Sequence, residues 1–246
     1  MISPAITVFT CSYNKPLYVQ DTINSVLKQT FTDFEYIILE NSDDGETRKI
    51  VHKTNDKRVR IIDINFSNEE RNKIYVESRL KNNYFPQARG KFVMALADDD
   101  MLEPTCFEEH IKEFGRDKKQ MANFHACRIT YLNSDKPDEI LPAIKTFGPH
   151  RSPHQRMDGG SIMFKKELLT KITQPFFKCN WHDAHISDGL FLNKLAREVT
   201  IYPINKILYI KRITKVSTHT FIDDTGTPRF FRPKKGWGHP VLKIKA

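Results

Sequence analysis

The chain has 246 residues, enough to bury a core as one domain, and its 39% hydrophobic and 28% charged residues are those of an ordinary globular protein. No apolar run is long enough to span a membrane, "MISPAITVFT" has neither the basic leader nor the apolar core of a signal peptide, and Cys11, Cys106, Cys127 and Cys179 lie far apart without a C-x-x-C pair. A disulfide framework and a zinc site are therefore not expected, a reducing cytoplasmic setting is, and the formal net charge of +9 points either to anionic partners or to no more than solubility.

The elements follow a clear rhythm. "AITVFT" (5–10) is β-branched and apolar and reads as a buried strand, with "CSYNKP" as the loop behind it. Pro16 suits a first helical turn, and Val19, Ile23, Val26 and Leu27 recur at helical spacing. "EYIILE" (35–40) predicts a second strand, "NSDDGET" a turn into a helix, and "VRIIDI" (59–64) a third strand. Residues 69–86 read as one polar helical stretch and "KFVMALA" (91–97) as a fourth strand. Pro104 then opens a helix with Phe107, Ile111 and Phe114 on one face. Alternating strands and helices predict a doubly wound parallel sheet.

The second half changes character. "ANFHACRITYL" (122–132) reads as a strand, and 133–160 as a long irregular stretch rich in Pro, Gly, His and Arg. "SIMF" is a short strand, "KKELLTKI" a helix and "DGLFLNKLAREV" a further helix. The last residues are basic, with Arg229, Arg232, Lys234 and Lys235.

Three carboxylates, Asp98, Asp99 and Asp100, follow the fourth strand directly. In an open α/β sheet, ligands bind outside the carboxyl ends of the strands. Carboxylates there hold a divalent cation that bridges nucleotide phosphates, or one of them caps the next helix while the others are solvated. Both readings stand on the triplet alone.

Residues 10–47, "TCSYNKPLYVQDTINSVLKQTFTDFEYIILENSDDGET", resemble the opening of the family 2 glycosyltransferases. Ser12-Tyr13-Asn14, Ser25-Val26-Leu27, Gln29-Thr30 and Asp33-Phe34-Glu35 carry the likeness, as does "ARGKFVMALADDD" with Pro104 behind it. The spore-coat polysaccharide type is the most similar in kind. The likeness is dense over 5–115 and looser over 155–215. It implies an α/β chain of the GT-A fold: a Rossmann-like, mixed, mostly parallel sheet flanked by helices, with a smaller acceptor-side region. Residues 1–104 would form the nucleotide-sugar half, 105–217 the acceptor half, and 218–246 a basic tail.

The resemblance also implies roles. Asp99 falls on the metal-binding position and would hold Mn²⁺ or Mg²⁺ on the donor diphosphate. Asp98 would sit near the ribose, and Asp100 would support or cap. Ala97 occupies the first position of the usual DxD. Thr10 and Cys11 match the nucleotide cradle. Asn41 stands where the family carries a base-reading Asp, and Arg71 matches an Arg that approaches the nucleotide or is a surface Arg beside Glu69 and Glu70. Asp188 matches the catalytic base at the start of a late helix, with Asp183 as runner-up, and equally suits a helix N-terminus. Asp158, Gly159 and Gly160 lie where donor sugar and acceptor meet, although the glycines also fit a plain turn. Trp181 stacks on a sugar or belongs to the core. His219 reaches the diphosphate or lies on the surface, and the remaining histidines show no zinc spacing.

The expected activity is metal-dependent, inverting transfer from a UDP- or dTDP-sugar donor to a hydroxyl of a glycan or other acceptor. No nucleic-acid partner is expected, and peripheral membrane association and oligomeric state stay open. A dehydrogenase is excluded because no G-x-G-x-x-G follows the first strand. The competing classes are a basic nucleic-acid-binding module and a degenerate transferase that binds sugar nucleotide without turnover.

Overall fold

A computed structural model describes residues 3–132, 134–141 and 157–214. β1 (Ile6–Ser12), β2 (Phe34–Glu40), β3 (Val59–Asp63) and β4 (Phe92–Ala95) lie parallel in the order β3-β2-β1-β4. β1 and β2 are buried on both faces, which is why they read as continuous apolar runs. α1 (Val19–Leu27) and α2 (Gly45–His52) are the first two crossovers. α1 buries Val19, Ile23 and Val26 on one side, as their spacing predicts. It begins later than expected. Pro16 lies in a preceding turn, where the Lys15 carbonyl accepts from the amides of Tyr18 and Val19.

The polar stretch after β3 is not one helix. α3 (Asn68–Lys73) opens on a reciprocal Ser67–Glu70 capping box, and α4 (Val76–Tyr84) follows after an extended break at Ile74 and Tyr75. A long-range bond accounts for the break: the Tyr75 amide donates to the Cys179 carbonyl at 2.6 Å, which a continuous helix would forbid.

β5 (Met101–Leu102), α5 (Cys106–Arg116), β6 (Ala122–Tyr131), β7 (Glu139–Leu141), β8 (Ile162–Lys165), α6 (Ser187–Glu198) and β9 (Tyr202–Ile213) complete the described chain. The sheet continues past β4 as β8-β6-β9-β5, with β7 on β6. Here β8 is antiparallel to β4 and β6, whereas β6 and β9 form a long parallel ladder interrupted by bulges at His125–Cys127. The sheet is thus mixed and its longer ladders are parallel, in agreement with the GT-A expectation rather than with a purely parallel sheet. "KKELLTKI" gives only a 3₁₀ segment, Lys166–Thr170.

One core lies on each face of the sheet. β1 sends Ile6 and Val8 to the face with α1 and α5, and Phe9 to the face with α4 and α6. Phe85 is the hub of the second core, with ring centroids 5.1–6.2 Å from those of Phe9, Phe164, Phe177 and Phe191. A polar clamp fixes β4 to the lower end of β1. Buried Glu35 accepts from the Thr7 hydroxyl at 2.7 Å and from the amide and Nε of Arg89 at 2.8 and 2.6 Å, while the Gly90 amide donates to Thr7 at 2.8 Å. Burial opposes ionisation of Glu35, but these bonds outweigh it and hold the carboxyl below its usual range.

The clamp leaves no room at Gly90, where a Cβ would lie 2.5 Å from the Thr7 nitrogen. Gly90→Val is expected to destabilise the fold by about 1–3 kcal/mol, the usual range for overpacking, read from the midpoint of urea unfolding. A midpoint equal to that of the parent chain would show that the strands part at this point without penalty.

Candidate functional site

The carboxyl ends of β1, β2 and β4 converge, and the acidic triplet sits among them. Its backbone is held first. The Thr10 hydroxyl donates to the Leu96 carbonyl at 3.0 Å, and the Thr22 hydroxyl on α1 lies 3.0 and 2.7 Å from the carbonyls of Asp98 and Asp100. All three aspartates are buried. Each side chain takes a different donor. Asp98 accepts from the Tyr13 amide at 2.7 Å, Asp99 pairs with the Lys15 ammonium at 2.7 Å, and Asp100 accepts from the Arg212 amide at 2.7 Å and from the Tyr209 hydroxyl. The Arg212 guanidinium also bonds the Asp99 carbonyl, Asp21 and the Tyr18 carbonyl, tying β9 to α1 across the triplet.

The electrostatics follow from this crowding. Burial, only partly offset by Lys15, pushes the Asp98 carboxyl well above its usual range. Burial and then the Asp99 charge raise Asp100 to about 7, against the pull of Lys211 and Tyr209. Lys15 has the opposite balance: burial disfavours its charge, but Asp98 and Asp99 outweigh that and raise its pKa.

The loop behind β1 is locked to the end of β2. Asn14 adopts a left-handed φ of 52°, which Asn tolerates better than most residues. Its amide donates to the Ser42 hydroxyl, and its Oδ1 accepts from the amides of Asp43 and Asp44. Asn41 is buried, its Nδ2 donating to the Ser12 carbonyl at 2.7 Å and its Oδ1 accepting from Arg71 at 3.0 Å. Arg71 is 2% exposed rather than a surface residue, with its guanidinium 4.3 Å from the centroid of the Tyr13 ring. The side chains of Asn41 and Arg71 thus face each other, and the buried Arg71 Nε has no hydrogen-bond partner among the described residues. Cys11 is half-buried. Burial, then the charge of Glu77, raises its thiol, with Lys81 opposing and Asp98 and Asp188 adding, so Cys11 feels both acidic groups of the site.

Asp188 stands in the first turn of α6, with its side chain 48% exposed. Lys81 on α4 reaches it at 2.9 Å and also holds Glu77 at 2.7 Å. Gly159 abuts this carboxylate, since a Cβ there would lie 2.8 Å from the Asp188 carboxyl carbon. Gly160 likewise makes room for the Tyr209 ring, 2.7 Å from its notional Cβ. Asp158 caps the turn through the Gly160 amide at 2.9 Å and pairs with Lys211. The two glycines therefore admit Asp188 and Tyr209 side by side.

Trp181 donates its indole N–H to the Arg71 carbonyl at 2.8 Å and packs 5.4 Å from the Tyr75 ring. Asn180 caps the turn that holds Asp183, its Oδ1 accepting from the Asp183 amide at 2.8 Å. His219 and the basic tail lie outside the described residues. The sequence reading missed Lys15, Lys81, Tyr209, Lys211 and Arg212. Only Lys81 carried a local signal, the i,i+4 spacing from Glu77. It also missed a buried group, Cys106, His110 and His125, which converge although their spacing matches no zinc motif.

Asp99 and Lys15 bear on the cation question. The three carboxylates do not converge as a closed protein cage, but a buried carboxylate already facing a cation at 2.7 Å suits a hard ion whose other ligands are phosphate and water. The residues present fit Mn²⁺ or Mg²⁺ in that form.

The model of glycosyl transferase family 2 matches residues 7–200. The chain belongs to this family. A glycosyltransferase of Methanocaldococcus jannaschii, MJ1057, is 34% identical over 70% of the chain and 59% of its own length. The teichuronic acid biosynthesis glycosyltransferase TuaG of Bacillus subtilis is 29% identical over 87% of the chain and 81% of its own length. CgeD of the same organism is 25% identical over 82% of the chain, which spans only 49% of CgeD. Among solved structures, S. aureus TarS 1–349 with UDP-GlcNAc superposes with a TM-score of 0.62 at 16% identity, covering 86% of this chain and 59% of that one. That likeness is one of fold. Among the described residues no helix is long and apolar enough to cross a membrane.

The raised Asp100 carboxyl has a consequence for stability. Its folded value exceeds its unfolded one, so the folded chain binds the extra proton, and stability falls as pH rises from about 4 to about 7. Asp100→Asn keeps an acceptor for the Arg212 amide and removes this titration. Unfolding free energies in urea across that window are expected to decline less steeply in the variant; equal slopes would assign the decline to other groups.

Proposed function

We propose that the protein transfers a sugar from a nucleoside-diphosphate sugar, UDP- or dTDP-linked, to a hydroxyl of a glycan or other acceptor, with inversion at the anomeric carbon. The observation that carries this reading is the contrast between two carboxylates, Asp99 and Asp188. Asp99 is buried against a cation, whereas Asp188 is half-exposed beside a glycine. The first suits a diphosphate site and the second suits proton abstraction. Family membership and the UDP-GlcNAc complex of TarS support a sugar-nucleotide donor. The likeness to TuaG, named for teichuronic acid biosynthesis, supports a polysaccharide acceptor.

Asp99 would hold the divalent cation, which would supply Lewis-acid neutralisation of the leaving diphosphate. Lys15 adds a positive charge at the same place. Asp98 fixes the Tyr13 amide and with it the loop that faces the nucleotide, alongside Thr10 and Cys11. Arg71 and Asn41 close the end of the cradle on the β2 side. Asp188 takes the proton of the acceptor hydroxyl as that oxygen attacks, with one carboxylate oxygen oriented by Lys81. Asp158, Gly159 and Gly160 form the floor between the two substrates, and Trp181 braces Arg71 from outside.

Calorimetric titration of UDP and dTDP with and without Mn²⁺ tests the donor site. Binding that needs the metal and is lost in Asp99→Asn is expected; metal-independent binding that survives the variant would refute the role of Asp99. Asp188→Asn is expected to lower turnover by about 10²–10⁴-fold with donor affinity unchanged, the usual range for loss of a general base. Donor binding without turnover in the parent chain would favour the degenerate binder.

A further inference from the structure

The buried group Cys106, His110 and His125 has no part in the transfer reaction. Cys106 and His110 are one helical turn apart on α5, and His125 faces them from β6. All three residues are fully buried, and their ligand atoms lie within 4.8 Å of one another. Hydrogen bonds settle which ring nitrogens carry hydrogen. Asn123 Nδ2 donates to the His110 carbonyl at 3.3 Å, which turns its Oδ1 toward His110 Nδ1 at 2.5 Å. That nitrogen must therefore be the donor. His125 Nδ1 faces the Ala126 carbonyl at 3.1 Å, an acceptor only, so it too carries its hydrogen. Each ring is thus left with a bare lone pair on Nε2. Burial keeps both rings neutral, holding His110 down at about 4 and His125 well below its usual value.

The hydrogen-bond arithmetic then fails to close. One thiol hydrogen is available for two nitrogen lone pairs. Cys106 Sγ lies 3.5 Å from His125 Nε2, which it can satisfy, and His110 Nε2 is left buried with no hydrogen-bond partner among the described residues. A cation satisfies all three atoms at once. The 3.5 Å between sulfur and nitrogen is within the reach of two ligands on one metal with bonds of about 2.3 and 2.0 Å. The backbone carbonyl and the amide oxygen on the two Nδ1 atoms are the outer partners that orient ligating histidines.

We propose that Cys106, His110 and His125 bind one soft d¹⁰ metal ion, monovalent copper. Charge and coordination number select it. Binding replaces the thiol hydrogen with Cu⁺ and releases one proton to solvent, so thiolate, ion and two neutral imidazoles carry no net charge in an apolar core. Zn²⁺ would leave one uncompensated positive charge and call for a fourth ligand. The ion would staple α5 to β6, and the His125 ring lies 6.3 Å from Tyr209, which holds Asp100. The site therefore braces the acidic triplet from below. Ligands this buried load as the chain folds.

The test uses the full chain, unfolded in denaturant under reducing, anaerobic conditions and refolded with Cu⁺ buffered by bicinchoninate or, separately, with Zn²⁺. About one copper per chain retained through gel filtration, with a raised Tm, is expected. X-ray absorption of that sample should show one sulfur and two imidazole nitrogens on the copper. Cys106→Ser and His110→Gln should each lose retention at least about tenfold, as expected when one of so few ligands is removed, while Cys127→Ser keeps it. If one of the two ligand variants fails to fold, the other and the absorption spectrum of the parent chain decide. No retained metal, retention of zinc but not copper, or copper that persists in the ligand variants would overturn the proposal.

Discussion

Three adjacent carboxylates buried at the end of one strand repel one another, and the surrounding structure is arranged to give each its own donor. Asp98 takes a backbone amide from the loop after β1, Asp99 takes the Lys15 ammonium, and Asp100 takes β9 through Tyr209 and the Arg212 amide. Because these donors come from opposite ends of the chain, the triplet can exist only when β1, α1, β4 and β9 are all in place. The Arg212 guanidinium, which touches α1 and the Asp99 carbonyl together, shows how closely the second half of the chain is tied to the first.

The same constraint shapes the opposite side of the site. Lys81 is buried between Glu77 and Asp188, so the carboxylate assigned as the base is oriented by an ion pair rather than left to roam. The glycines at 159 and 160 matter because of their neighbours: any side chain there would meet Asp188 or Tyr209. Beneath them the aromatic cluster around Phe85 supplies the stiffness. Polar groups carry the chemistry and aromatic packing fixes where they stand.

Much of this was legible from the chain. The strands β1, β2 and β3, the apolar face of α1, the position of the triplet at a strand end and the place of Asp188 in the first turn of α6 all follow from local patterns. Local reasoning failed where a distant bond overrode propensity. The 69–86 stretch breaks at Tyr75 because its amide serves Cys179. For Arg71 local reasoning left a nucleotide-facing and a surface placement open, and Asn41 and Tyr13 draw it inward. Lys211 and Arg212 sit in an ordinary-looking strand whose acidic partners lie far away in sequence.

The sequence by itself determined the principal strands and helices of the first half, that they build an α/β sheet with an acidic strand end, and the family to which the chain belongs. Periodicity, turn residues and spaced motifs are local properties, and they act over a few residues. Only the tertiary structure decided which cation meets Asp99, which lysine orients Asp188, that β8 is the strand at which the parallel order breaks, and that a cysteine and two histidines of α5 and β6 meet in the core. Those outcomes depend on the crossing of strands remote in sequence, and on burial, which strengthens each pairing only once water has been excluded.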